Sequence, residues 1–415
     1  MKAWVESYGC TMNQGEGAQL EAQLASMGHV LVSDPADAEL VVVNTCTVIR
    51  ETERRMLRRL EELSRQQRKV IVTGCLAAVQ SGEAVKRAPG ALIIPPRSYG
   101  SFAELVGERF GPSQAPPSII PLAATSAVLP IAQGCLGNCS YCITRLARGT
   151  LASYPLDGLV EEARGHVASG AVELLITAQD TAAYGMDRNT DLGRLLEAIA
   201  AIPGDFRARV GMMNPQSLAP ILPSFLAAWR SPKVYQFVHL PVQSGSERML
   251  EAMNRRHALK EFEGIVERLR STSPDMCLAT DVIVGFPGET DDDHRATVEL
   301  IQRIRPEVVN VTRYSPRPGT EAARARNQVP GWRSKERSRE LTALRMDIGM
   351  DIHRSRIGLG ESILITERGK KGTMIGRTDA YRPVVVRGDH RIGSRLPVVM
   401  TDATPTYMVG EARGT

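Results

Sequence analysis

Residues 134–142 read GCLGNCSYC, with Cys135, Cys139 and Cys142 in a Cys-x-x-x-Cys-x-x-Cys spacing just after the apolar stretch AVLPIAQ (127–133). A loop this tight can turn three sulfurs onto one cubic cluster, and cysteine thiolates are the usual protein ligands of 4Fe–4S clusters. Three ligands for four irons leave one iron open, the condition for inner-sphere chemistry. Gly134 and Gly137 let the backbone turn sharply there. Zinc would require a fourth ligand, and the next candidates, His166 and Cys277, are remote in sequence. Three buried structural cysteines are the other alternative. The spacing favours a catalytic iron–sulfur site over both.

The strand before this loop opens an alternating block over about 126–316. AVLPIAQ, AVELLITA, FRARVGMM, VYQFVHLP, CLATDVIVGF and EVVNVTRY are apolar strand candidates, with helices such as Leu156–Ser169, Leu192–Ala201 and Lys260–Ser271 between them. Six strand–helix units suffice for a partial (β/α)6 barrel, smaller than the eight-stranded form. A shorter alternation precedes it. KAWVESYG, ELVVVNTC, KVIVTGC and ALIIPP alternate with helices that include Glu16–Met27 and Glu51–Gln67, which predicts an N-terminal parallel α/β sheet domain. The proline-rich GPSQAPPSIIPLAAT (111–125) is the candidate linker. Past the basic helix WRSKERSRELTALRMDIGMDIHRSR, short β-rich runs broken by Gly-Lys and Gly-Asp turns predict a small antiparallel β-barrel. The expected domains are 1–112, 126–350 and 357–415. A chain of 415 residues and 45.3 kDa accords with two or three domains.

Three more cysteines, Cys10, Cys46 and Cys75, end the strand segments ESYGC, VVNTC and IVTGC. In a parallel sheet the carboxyl ends of the strands share one edge, where open α/β folds place their sites. Three thiolates can therefore converge despite their separation in sequence, although small buried residues at strand ends would look the same. Cys277 opens a strand and reads as core. Five of the barrel segments also end in polar or glycine-rich sequence: Gln179, Asp180 and Tyr184; Asn214; Gln243 and Ser244; Gly285, Gly288 and Glu289; Arg317 and Thr320. Polar groups at the carboxyl ends of barrel strands read as ligand contacts, and Gly-Phe-Pro-Gly and Pro-Gly-Thr equally as turns.

An odd count of seven cysteines argues against a disulfide framework. No apolar run reaches the roughly 20 residues of a membrane helix, and MKAWVESYGC lacks an apolar signal segment, so a cytoplasmic protein without a membrane partner is expected. Residues 324–415 hold 18 Lys and Arg against 10 Asp and Glu, a net +8, whereas 1–323 hold 33 against 36, a net −3. That division suggests a polyanionic partner at the C-terminal end, or a merely solvated basic helix.

The chain resembles the radical S-adenosylmethionine methylthiotransferase family along nearly its whole length. YGCTMN, NTC and TGC resemble that family's N-terminal domain; GCLGNCSYC resembles its radical cluster loop; HLPVQSGS, DVIVGFPGET and YSPRPGT resemble further signatures of its radical SAM barrel; and the end resembles the RNA-binding TRAM domain. YGCTMNQGEG and GCLGNCSYCITRLARG are most similar to the archaeal and eukaryotic branch, which acts on threonylcarbamoyladenosine beside the tRNA anticodon. The proline that bacterial relatives usually carry after the third cysteine is absent, since Ile143 follows Cys142. Those relatives, acting on isopentenyladenosine or a ribosomal-protein aspartate, are the alternative.

The resemblance implies two 4Fe–4S clusters and S-adenosylmethionine. Cys135, Cys139 and Cys142 would hold the radical cluster, and Cys10, Cys46 and Cys75 the one that delivers sulfur. Tyr141, Gln179, Asp180, Asn214 and Gln243 would hold the nucleoside and methionine parts, and Asn13 would orient the second cluster or its sulfur ligand. It implies a tRNA partner, no DNA, an electron donor and a sulfur source. Lys370, Lys371, Arg377 and Arg382 would contact RNA, with Arg387, Arg391 and Arg395 following; with Tyr381 and Tyr407 the aromatic residues of that end, little base stacking is expected.

Overall fold

The computed structural model describes residues 1–111 and 125–413, so the expected linker lies almost wholly outside the described residues. The chain forms two units. One contains Met1–Leu122, Gln133–Ala152 and Ser315–Ala323; the other contains Ala123–Ala132, Ser153–Tyr314 and Arg324–Thr415.

In the first unit five parallel strands lie in the order Val30–Leu31, Lys2–Ser7, Leu40–Thr45, Lys69–Thr73, Leu92–Ile94. The central strand, LVVVNT, is buried at every residue. Its apolar run feeds both faces, as expected of a parallel strand covered on two sides. Val41 and Val43 meet Met56, Leu60 and Leu63 of the helix Arg50–Arg65, while Leu40 and Val42 meet Leu20, Leu24 and Phe102. The helix expected from Glu16 begins five residues earlier and covers Thr11–Ser26. Gly15 and Gly17, poor helix formers, hide this start. Gly17 is there for contact: a Cβ would collide with the Ser7 hydroxyl.

In the second unit six parallel strands follow in order: Ser126–Pro130, Glu173–Thr177, Arg207–Val210, Phe237–His239, Cys277–Val284 and Val308–Arg313. They form two three-stranded sheets joined by bridges between Ala208 and Val234 and between Met212 and His239. This is the expected partial barrel. The basic helix, Gly331–Arg354, leads into a closed five-stranded barrel of Gly360–Arg368, Thr373–Arg377, Pro383–Arg387, Met408–Ala412 and Arg395–Ala403. Ile363, Ile365, Met374, Val384, Val398 and Met408 contribute to its core. It is antiparallel except where Pro383–Arg387 pairs in parallel with Met408–Ala412. Five strands cannot alternate direction all the way round, so closure requires one such seam.

The barrel packs on the second unit's sheet through Tyr381, which contacts Tyr235 and Phe237, and through Arg395, paired with Asp205 at 2.9 Å. Cys277 lies in this same core, as the sequence suggested. Arg382, expected to meet RNA, is 3% exposed, and its Nε donates to both carboxylate oxygens of Glu307 at 2.9 Å. Its charge is matched internally, and His353 binds the same carboxylate at 2.9 Å. Arg377, likewise expected at RNA, pairs with Glu367 and lies over the Tyr381 ring. Lys370, Lys371, Arg387 and Arg391 remain exposed. Replacing one member of a buried ion pair strands the other charge. Arg382→Leu is therefore expected to lower the stability of this unit by roughly 3–5 kcal/mol in urea unfolding; a loss near zero would contradict the internal role.

Candidate active site

Both cysteine trios fall in the first unit. Cys10 lies three residues beyond its strand and caps the helix Thr11–Ser26. Cys46 directly follows Leu40–Thr45, and Cys75 sits in the first turn of the short helix Gly74–Val79. All three stand beyond the carboxyl ends of neighbouring strands. Gly9, at φ +103°, presses on Cys46, and a Cβ there would come within 2.9 Å of the Cys46 sulfur. Gly74, at φ +80°, rests against the Thr45 backbone and admits no side chain.

Cys10 is exposed; Cys46 and Cys75 are buried. Burial pushes the Cys75 thiol up to about 11, with Arg148 opposing and the Cys46 and Cys10 sulfurs adding to the rise. Burial likewise raises Cys46, which also feels Cys10 and Arg148. The three thiols are thus mutual electrostatic neighbours.

The loop of the other trio is closed by the Cys135 amide, which donates to the Gly149 carbonyl at 3.1 Å, and the Cys142 amide, which donates to the Cys139 carbonyl at 3.0 Å. Gly134 holds φ +81° against the Thr150 carbonyl, where a Cβ would clash, so its expected turning role is realised. The Gly137 amide donates to the Cys135 sulfur at 3.2 Å, a bond that favours a thiolate. Cys142 caps the helix Ile143–Arg148, and burial raises its thiol. That helix packs against Gly74–Val79, which carries Cys75.

Arg148, at the end of this helix, connects the trios. Its guanidinium donates to the Cys75 sulfur at 3.4 Å, to Asn13 Oδ1 at 2.8 Å and to both oxygens of Glu16. Its side chain is 1% exposed. Asn13 in turn donates to the Tyr8 carbonyl at 2.7 Å and the Thr45 carbonyl at 2.9 Å, fastening the segments before Cys10 and Cys46. Behind Cys46, Thr47 donates to Glu53 at 2.6 Å, Gln80 donates to both, and Arg317 donates to Thr47 at 2.9 Å and to Glu53. Arg148, Glu16, Thr47, Glu53 and Gln80 were not singled out from the sequence. The signal for the first pair was a charged residue beside glycine, in LARG and GEG.

Tyr141 lies within the cluster loop and is half-buried. The other expected cofactor residues belong to the second unit. Asp180 accepts from the Asn214 amide at 2.9 Å, from Asn214 Nδ2 at 2.8 Å and from Ser217 at 2.7 Å, while Asn214 Oδ1 accepts from Arg255 at 2.8 Å. Burial raises the Asp180 carboxyl, and these donors oppose the rise. Asp180 and Asn214 therefore fasten the start of the helix Pro215–Trp229. Gln179 directly precedes Asp180. Gln243 occupies the left-handed region at φ 73° and is held by backbone bonds to Asp281 and Ile283. Asp281 also binds His239 at 2.9 Å and Asn310 at 2.7 Å. Two signatures are turn-forming: Glu289 accepts from the Gly285 amide at 2.6 Å and from Arg337 at 2.6 Å, and Thr320 donates to the Arg317 carbonyl at 2.8 Å.

Residues 129–301 match the radical SAM superfamily, residues 2–94 match the Uncharacterized protein family UPF0004, and residues 355–412 match the TRAM domain. The radical S-adenosylmethionine methyltransferase TsrM from Kitasatospora setae shares the fold, with a TM-score of 0.57 at 13% identity, over 89% of this chain and 79% of that one. With a cysteine loop of this form, the chain is a radical SAM enzyme. The probable threonylcarbamoyladenosine tRNA methylthiotransferase of Pyrococcus abyssi is 42% identical over 99% of both chains, and the human threonylcarbamoyladenosine tRNA methylthiotransferase is 30% identical over 99% of this chain and 74% of its own. The chain belongs to the threonylcarbamoyladenosine tRNA methylthiotransferase family.

The cofactors of such an enzyme are S-adenosylmethionine and two 4Fe–4S clusters. Among the described residues no group of ligating side chains is spaced to grip a single metal ion. A cubic cluster holds its cysteine sulfurs farther apart than one ion does. Two all-sulfur donor sets, one with an amide hydrogen bond to sulfur and one beside a buried guanidinium, fit two such clusters. Among the described residues no helix is long and apolar enough to cross a membrane.

Removing Arg148 leaves the buried Glu16 carboxylate unpaired. Arg148→Ala is expected to cost roughly 3–5 kcal/mol in unfolding of the metal-free protein, and adding Glu16→Gln should recover part of it. Equal losses in the single and double variants would contradict the coupling.

Proposed function

We propose that this chain inserts a methylthio group at adenine carbon 2 of N6-threonylcarbamoyladenosine, next to the anticodon of its tRNA substrate. When bound, S-adenosylmethionine and the two clusters supply the hydrogen-abstracting radical, the sulfur and the methyl group, which acid–base side chains cannot supply at an inert aromatic C–H bond. Cys135, Cys139 and Cys142 hold the radical cluster, with the Gly137 amide favouring the thiolate of Cys135. Cys10, Cys46 and Cys75 hold the auxiliary cluster. The Arg148 guanidinium offsets the negative charge of that trio and fixes Cys75 relative to Asn13, whose amide fastens the segments bearing Cys10 and Cys46. The single observation that carries the reading is this buried guanidinium, reaching from the loop of one trio to a sulfur of the other.

Gln243 is the strongest of the expected cofactor residues. A left-handed glutamine at the mouth of a barrel strand is strained, and such strain collects at ligand sites. Tyr141, Gln179, Asp180 and Asn214 complete the set, the last two chiefly by holding the helix start that faces the strand ends. Lys370 and Lys371 meet tRNA phosphates, while the buried Arg382 supports the barrel that carries them. The functional parts run over 1–112, 126–350 and 357–415. The enzyme works in the cytoplasm, where a cellular reductant delivers electrons and a separate sulfur source replenishes what each turnover removes.

Cys139→Ala is expected to abolish reductive cleavage of S-adenosylmethionine, whereas Cys46→Ala should retain that cleavage and form no methylthio product. Full product from the Cys46 variant would overturn the division of roles. In a strain lacking the protein, mass spectrometry of tRNA nucleosides should find threonylcarbamoyladenosine without its methylthio form; persistence of that form, with no second enzyme making it, would refute the substrate.

A further inference from the structure

The helix Arg50–Arg65 starts four residues after Cys46, with the sequence RETERRMLRRLEELSR. Its inner side buries Met56, Leu60 and Leu63. On the outside, Arg50, Arg54 and Arg58 stand one turn apart, all exposed, and none has an ion pair or side-chain hydrogen bond among the described residues. Arg54 and Arg58, with Glu51, Leu57 and Arg87, line a cavity of about 460 Å³ between this helix and Ser81–Arg87. Arg87 reaches Glu61. Arg55 lies over the ring of Tyr8, 5.5 Å from its centre and two residues before the exposed Cys10. Val48 and Ile49, between Cys46 and Arg50, are both half or more exposed.

Locally this row is unfavourable. Like charges four residues apart on a helix repel, and cations near a helix N-terminus oppose its dipole. The surroundings leave that charge unmatched: three arginines and one glutamate face the cavity, and the one arginine with a partner, Arg87, faces it from the second helix. Planar guanidiniums present forked donors suited to phosphate oxygens. The row spans about 12 Å along the axis, at 1.5 Å per residue, and begins at the sheet edge that carries the three thiols.

The geometry points to a phosphate-binding face of the N-terminal unit, Arg50, Arg54 and Arg58 with the cavity beside them, that grips the backbone of the tRNA substrate next to Cys46. This inference rests on the tRNA reading above and extends it to an RNA contact outside the TRAM barrel. An arginine row with a stacked Arg55–Tyr8 pair at its side is the chemistry of an RNA surface, with phosphates on the guanidiniums and a base edge or ribose against the aromatic side.

The test is equilibrium binding of a tRNA transcript to the full chain, measured over a series of salt concentrations. The Arg54→Gln/Arg58→Gln double variant is expected to bind roughly tenfold more weakly near physiological salt. The slope of log K against log salt should shrink by about 1 for each arginine removed. Arg54→Lys/Arg58→Lys should keep most of that slope. Because the residues are exposed, the glutamine variant should melt as wild type does, and its cleavage of S-adenosylmethionine without tRNA should be unchanged. Wild-type affinity and slope in the glutamine variant would overturn the inference, as would weaker binding with an unaltered slope. Intact tRNA binding combined with lost reduction by an acidic flavoprotein would assign the face to a protein and equally overturn it. If the wild-type chain itself fails to bind tRNA, the substrate reading falls first, which separates the two failures.

Discussion

The first unit depends on a guanidinium held away from water. Arg148 carries a full charge at 1% side-chain exposure, and a charge there persists only if it is paired and hydrogen-bonded. Glu16 neutralises it, Asn13 takes a further donor, and the Cys75 sulfur takes the remaining direction. This arrangement fixes three segments far apart in sequence: the helix after Cys10, the helix that carries Cys75, and the end of the loop with Cys135, Cys139 and Cys142. Precision at these cysteine sulfurs thus comes from a polar network one layer behind them.

Close backbone approach is the second constraint on the same sulfurs. Gly9 lies against Cys46, Gly74 against Thr45, and Gly134 against Thr150, each at a φ that other residues seldom adopt. The thiols are placed by turns that leave no room for a Cβ. Sharp turns at strand ends set the sulfurs, and the buried Arg148–Glu16 pair sets the turns relative to one another.

The parts of this chain legible in its sequence were those governed by local periodicity or by an unusual residue type at fixed spacing. LVVVNT reads as a doubly covered strand because its first four residues are apolar without alternation, and the cysteines mark themselves by type. The six strands of the second unit and the closed barrel followed from alternation and turn residues. What stayed hidden depends on contacts made across the fold. Glycine at positions 15 and 17 disguised a helix start, because Gly17 answers to Ser7 rather than to helix propensity. Arg382 looked like a surface cation because its partner, Glu307, lies 75 residues away. The parallel seam of the barrel follows from an odd strand number, a property of the closed object that no single strand displays.

The same distinction governs how charge is read. Divided by segment, the excess of positive charge falls in the C-terminal 92 residues, and the body of the chain is slightly negative. Sorted by what each charge touches, the picture changes. Within the C-terminal part, Arg337, Arg356, Arg382 and Arg395 are matched by carboxylates in the interior or at packed surfaces. In the net-negative body, Arg50, Arg54 and Arg58 form an exposed row without such partners among the described residues. A segment's sum counts matched and unmatched charges alike, whereas a polyanion at a distance of a few ångströms responds to the unmatched ones within a Debye length of about 8–10 Å. Sorted in this way, exposed positive charge lies on the helix after Cys46 as well as at the basic end of the chain, where Lys370, Lys371, Arg387 and Arg391 are exposed.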